Sequence, residues 1–247
     1  MEWNVSPPIA SIFSKKIITI DKTKHIKDWI FLKYLKIINN CFTGNYPEFE
    51  IDKPKNEIIS ERMESVDSYY EEKNIFYNAP SDARKINLDS GSIDFIYSFA
   101  VLEHIPKNIL DQILSEFFRV LKPDGIMFHV VEPEDHNFQY GSSKVEFLRY
   151  SNFFYNYFYN SSISYHNRLR DSEYKNMFKN NKFEVFWYDR ELSQDDVDIL
   201  NTMNLNDVYK SFSIEDLAIS KVTYILKKNK GNPKIENKAD GPKWFSE

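Results

Sequence analysis

Between Ile86 and Val131 the apolar positions change their spacing twice. The turn residues Asp89, Ser90, Gly91 and Ser92 give way to Ile93, Phe95, Ile96 and Tyr97, which predicts a short strand starting at Ile93. From Pro106 onward Ile109, Leu110, Ile113, Leu114, Phe117, Phe118 and Leu121 recur every three or four residues and fall on one stripe of a helix. Pro106 suits a first helical turn, and Lys122, Pro123, Asp124 and Gly125 read as the stop. Ile126, Met127, Phe128, Val130 and Val131 then make a nearly continuous apolar run, the pattern of a strand covered on both faces. Strand, helix and strand at this length form a βαβ unit, so a parallel sheet with a right-handed crossover is expected.

Elsewhere the pattern is thinner. Lys16 to Ile20 reads as a strand that ends at Asp21, and Asn74 to Tyr77 as a weak one leading to Ala79, Pro80, Ser81, Asp82 and Ala83. Ile26, Trp29, Ile30, Leu32, Leu35 and Ile38 keep helical spacing in a stretch too long for a loop, so residues 22–73 are expected to be a helical insertion. Helices are predicted near Ser172 to Lys179 and Asp195 to Met203, and strands at Phe183 to Tyr188 and Val222 to Leu226. The expectation is one domain over residues 1–227 and a mobile tail over 228–247, where Lys, Asn, Pro, Gly and Glu take over.

Composition narrows the classes. A 247-residue chain that is 42% hydrophobic can bury one sizeable core. A formal net charge of −5 argues against non-specific grip on nucleic acid. One cysteine, Cys41, makes no internal disulfide and fits a reducing compartment. No run approaches the ~18 apolar residues of a membrane span, and the start MEWNVSPP lacks the regions of a signal peptide. A cytoplasmic protein is the expectation.

Ligands of open α/β sheets sit beyond the carboxyl ends of the strands. The predicted strand at Ile93 runs out into Ser98, Phe99, Ala100, Glu103 and His104, and the next into Glu132, Glu134, Asp135 and His136. An Asp135–His136 pair can act as a general base if the carboxylate orients the imidazole toward an acceptor hydroxyl, although solvated loop residues have the same composition. The four acidic and imidazole residues from Glu132 to His136 match no strong ligand spacing, so no metal is expected. The aromatic run Phe147, Tyr150, Phe153, Phe154, Tyr155, Tyr157, Phe158 and Tyr159 reads mainly as packing. Arg168 and Arg170 could meet an anionic acceptor, although a surface ion pair is the commoner fate of arginine.

The segments IDFIYSFAVLEHI and RVLKPDGIMFHVV resemble the fourth strand with its following turn, and the helix end with fifth strand, of class I S-adenosylmethionine-dependent methyltransferases of the type 11-like kind. Asp135-His136, Glu146 to Ser151 and Asn167-Arg168-Leu169-Arg170 are similar to elements of a bacterial, polysaccharide-associated group within that superfamily. The resemblance implies a Rossmann-like, mostly parallel α/β sheet with helices on both faces. It implies S-adenosyl-L-methionine as cofactor, with Asp21 at the ribose, Asp82 and Ala83 at the adenine, and Ser98 and His104 lining the site. Asp135 and His136 become the catalytic candidates, and the acceptor a small molecule or carbohydrate. The chain departs from the pattern at its start: the first glycine is Gly44 and 15 residues precede Lys16. Strand, glycine-rich turn and helix need ~30 residues or more as half of a βαβ unit. The family's first strand is therefore expected to be missing, through amino-terminal truncation or a start placed too late, unless another segment fills its place, with the insertion following the second strand. The alternative expectation is a catalytically inactive remnant or accessory binding module.

Overall fold

The computed structural model describes residues 10, 14–22, 65–140, 143–161 and 164–229. Most of the expected helical insertion, the start of the chain and nearly all of the expected tail lie outside them. The chain divides into two units, Met1–Ala83 and Arg84–Glu247.

In the first unit, β1 (Ile17–Ile20) and β2 (Ile75–Asn78) pair in parallel. Helix α1 (Val66–Glu72) precedes β2, and its Ser65 cap and Ser68 satisfy each other's backbone amides in a capping box. Val66, Tyr69 and Tyr70 are its buried side. Both strands end at the same edge, where the Ser81 amide donates to the Asp21 carbonyl at 2.8 Å.

The second unit holds β3 (Ile93–Phe99), α2 (Lys107–Val120), β4 (Leu121–Val131), α3 (Asn152–Phe158), α4 (Asp171–Asn180), β5 (Phe183–Leu192), α5 (Gln194–Thr202), α6 (Ile214–Ala218) and β6 (Ile219–Lys228). Its four strands are ordered β3-β4-β6-β5. Strands β3 and β4 are parallel, as the βαβ reading requires, while β6 runs antiparallel to both β4 and β5. The fold is α/β and Rossmann-like, with one reversed strand inside the sheet.

The expected stop at Lys122 to Gly125 is not a separate turn. The helix gives way directly to β4, whose register with β3 jumps from Ile93 opposite Leu121 to Phe95 opposite Ile126. The residues in between bulge out, and a Cβ on Gly125 would lie 2.7 Å from the buried Leu121 side chain. A glycine is what this close approach demands.

The apolar stripe of α2 explains the core. Leu110, Leu114, Met177, Phe178, Phe183, Met127, Val131, Val222, Tyr224 and Leu226 form one cluster in which α2 and α4 meet the sheet. Full burial of each such Leu or Phe contributes roughly 1.5–3 kcal/mol. On the polar side of α2, Arg119 donates to the carbonyls of Ile86 (2.9 Å) and Leu88 (2.8 Å) and pairs with Glu116 (2.7 Å), so the connection into β3 is tied to the helix. That pairing holds the Glu116 carboxyl below the usual carboxylate range.

Candidate functional site

Three loops of the second unit converge beyond the carboxyl ends of β3 and β4. The first follows β3 and carries a 3-10 turn, Leu102–His104. The second follows β4 and runs through Asp135 into the turn His136–Tyr140. The third is the irregular approach to α4, from Ser164 to Arg170.

Asparagine and arginine side chains lace these loops together. Asn167 donates from Nδ2 to the carbonyls of Leu102 (2.8 Å) and Ile105 (2.9 Å), and its backbone amide donates to the Glu103 carbonyl at 2.8 Å. Arg170, 1% exposed, donates to the Pro133 carbonyl and, at 3.3 Å, to the Arg168 carbonyl, and lies over the Phe147 ring. Arg168 donates to the carbonyls of Phe147 (3.0 Å) and Tyr150 (2.8 Å), and its guanidinium sits 4.4 Å from the Tyr155 ring centre. Its backbone is left-handed, at φ +58°, a strained setting held by the bonds around it. The surface ion pair that arginine composition suggests is thus replaced by two buried cations that fasten backbone carbonyls. Both have their pKa lowered, chiefly by burial.

Within this frame His104, His136 and His166 come together. Ring centres of His104 and His136 are 5.0 Å apart, those of His136 and His166 5.0 Å, and those of His104 and His166 6.2 Å. Nδ1 of His104 lies 2.7 Å from the Tyr165 carbonyl. A carbonyl only accepts, so Nδ1 carries the proton and Nε2 keeps its lone pair. Nδ1 of His166 accepts from the Arg168 amide at 3.1 Å, which puts its neutral-ring proton on Nε2. Glu103 is fully buried, and its Oε1 accepts the Glu132 amide at 3.2 Å.

Burial first, then the facing His104, lowers the pKa of His136. His166 is driven well below its ordinary value, by burial and then by His136, Arg170 and His104. Clustered perturbation of this kind marks candidate sites. Neutral imidazoles at neutral pH are what base or ligand chemistry requires.

The residues expected from the sequence are distributed as follows. His104 and His136 are brought together. Asp135 is buried, but its Oδ1 accepts from the backbone and side-chain nitrogens of Asn137 at 2.9 and 3.1 Å, as a turn-capping aspartate does. Among the described residues no hydrogen bond joins it to His136. Burial raises its carboxyl pKa. The Ser98 hydroxyl is joined at 2.7 Å to Nδ1 of His129, inside the sheet. Asp21, whose Oδ2 accepts from the Tyr77 hydroxyl at 3.0 Å, Asp82 and Ala83 all lie in the first unit, at the carboxyl end of its parallel pair. His166 was not among the expected residues. It stands in a loop without periodicity, and the neighbours on either side, Tyr165 through its carbonyl and Asn167 through its side chain, tie that loop to the turn after β3.

Part of the aromatic run also differs from its expected packing role. Phe147 and Tyr155 are buried, whereas Phe153 and Tyr157 on α3 are 80% and 73% exposed.

Comparison with known proteins places a family on one segment. No curated protein matches the sequence. Among solved structures, a SAM-dependent methyltransferase from Methanosarcina mazei is 13% identical, with a TM-score of 0.45, over 90% of this chain and 85% of its own. Phosphoethanolamine N-methyltransferase 2 of Haemonchus contortus, solved with S-adenosyl-L-methionine, is 15% identical with a TM-score of 0.42, over 66% of this chain and 39% of its own. Geranyl diphosphate C-methyltransferase from Streptomyces coelicolor is 15% identical with a TM-score of 0.40, over 65% of this chain and 58% of its own. Residues 56–129, which run from before α1 to His129 on β4, match the family described as a methyltransferase domain.

Proposed function

We propose that this chain is an S-adenosyl-L-methionine-dependent methyltransferase with a small-molecule or carbohydrate acceptor, of the polysaccharide-associated kind its Asp135-His136 and Asn167-to-Arg170 elements resemble. The observation that carries the reading is the match of residues 56–129 to the methyltransferase domain, which ends where β4 delivers the chain to the imidazole cluster. The cofactor, when bound, supplies a methyl group activated on a sulfonium. Transfer of such a group is displacement in line, so the protein acts mainly by positioning, with at most a base for the nucleophile.

The donor set at the end of β1 and β2 suits the cofactor's nucleoside. Asp21 offers a carboxylate to a ribose diol, and Asp82 with the adjoining Ala83 backbone offers acceptors and a donor to an adenine edge. Within the second unit taken by itself, Ser98 and His104, which flank the turn after β3, are the proposed cofactor contacts. Ala100, in a left-handed conformation at φ +47°, makes that turn sharp. His136 is the proposed base, kept deprotonated by burial, and Asp135 positions its loop through Asn137.

Calorimetry with S-adenosylhomocysteine tests the proposal. Saturable binding in the micromolar range is expected, weakened at least tenfold in Asp21→Ala. A folded sample that binds none overturns it.

A further inference from the structure

We infer that Glu103, His104 and His136 form a binding site for one divalent first-row transition ion. The geometry points to it through ligand atoms rather than composition. One carboxylate oxygen and one imidazole nitrogen from each histidine lie within 4.8 Å of one another. Zinc and its neighbours bind such atoms at roughly 2.0–2.2 Å. Side-chain rotations that move each atom about 1 Å therefore close the shell. Two imidazoles and a carboxylate are a borderline-soft set that favours iron, cobalt, nickel or zinc in the divalent state over magnesium or calcium, which prefer oxygen ligands.

Three further observations support ligand roles. His104 donates Nδ1–H to the Tyr165 carbonyl, the arrangement by which a ligating histidine is oriented with its Nε2 lone pair toward a metal. Glu103 is held by the Glu132 amide, so a backbone group just past the end of β4 fixes the carboxylate. Nε2 of His136 is buried with no hydrogen-bond partner among the described residues, a cost that a bound ion would remove. His166 plays a different part: its Nδ1 is engaged by the Arg168 amide, so its Nε2–H can only donate, to water or another oxygen bound at the ion's open positions.

The site does not rest on the methyl-transfer reading. With an ion bound, His104 and His136 act as its ligands rather than directly on cofactor or acceptor. The test is a titration of chelator-treated protein, free of any histidine tag, with zinc by calorimetry and with cobalt by visible absorption, in the absence of S-adenosylhomocysteine. One equivalent is expected, with a dissociation constant in the micromolar range or below and cobalt bands of a low-coordinate site. His104→Ala and His136→Ala should each weaken binding at least tenfold, while His129→Asn, which alters a histidine inside the sheet, should leave it within twofold. Glu103→Gln, close in shape and able to keep the Glu132 bond, should also lose at least tenfold and guards against misfolding of the histidine variants. Absence of binding by the folded protein overturns the proposal, as does binding unaffected by Glu103→Gln and His136→Ala together.

Discussion

Two buried regions of the second unit use histidine in opposite ways. Under the helices, His129 is an imidazole in an apolar wall, nearly parallel to the Phe117 and Phe178 rings, with centres 6.3 and 6.4 Å away, and among the described residues its side chain is hydrogen-bonded only to Ser98. At the loop edge, His136 meets two other imidazoles and a carboxylate. Burial lowers the pKa in both places, so a displaced pKa by itself does not mark chemistry. Convergence of several polar groups on one another does.

That contrast can be broken from the apolar side first. Phe178→Ala removes a fully buried ring between α4 and the sheet, and a loss of roughly 3–5 kcal/mol is expected from urea denaturation. A loss of less than about 1 kcal/mol would mean that the wall around His129 is not the packed core described.

The second expectation concerns pH. Burial pushes the pKa of His129 down from 6.5 to about 3. Below pH 6.5 the unfolded chain takes up a proton that the folded chain refuses, so stability is complete above 6.5 and falls as pH drops toward 3. The slope from this one residue reaches about 1.4 kcal/mol per pH unit. Asparagine keeps an amide near the Nδ1 position for Ser98 but cannot titrate. Denaturation curves of His129→Asn between about pH 7 and about pH 5 should therefore be flatter than the parent's by up to that slope. Since His136 and His166 act in the same direction, only the difference between the two proteins isolates His129; equal slopes would refute its buried neutrality.

The smallest effect is expected at the loop edge. His136→Gln removes a half-buried imidazole whose Nε2 is without a partner among the described residues, so stability should change by no more than about 1 kcal/mol. A larger loss would make His136 a structural residue like His129 and erase the contrast.

The sequence carried the parallel half of the sheet clearly. The period from Pro106 to Leu121 reflects which side chains of α2 face the core, whereas in β3 Ile93 and Ile96 pack against it and Phe95 of the same run is 52% exposed. The reversal of β6 was not legible, because alternation reports burial and not direction. Helix α3 was read as packed aromatics because rings are usually buried, yet Phe153 and Tyr157 face outward. At the site, His104 and His136 were visible as residues at the ends of apolar runs. Their meeting with His166 was not, because Tyr165 and Asn167 make it through bonds to residues more than 60 positions earlier. Arg168 and Arg170 were visible as a pair, but only their burial shows that they hold carbonyls.

The reversed strand β6 has a consequence for how the molecule is made. It is an inner strand, bonded to β4 on one side and β5 on the other, yet it is the last strand of the described chain to be synthesised. Until Lys228 has left the ribosome, β4 and β5 each present a row of unsatisfied amides and carbonyls, and the apolar wall they share has no middle. A nascent chain stopped at Ala218 would expose two open edges at once. Closure of this sheet therefore waits for β6, and the open edges that precede it are the vulnerability such a strand order creates.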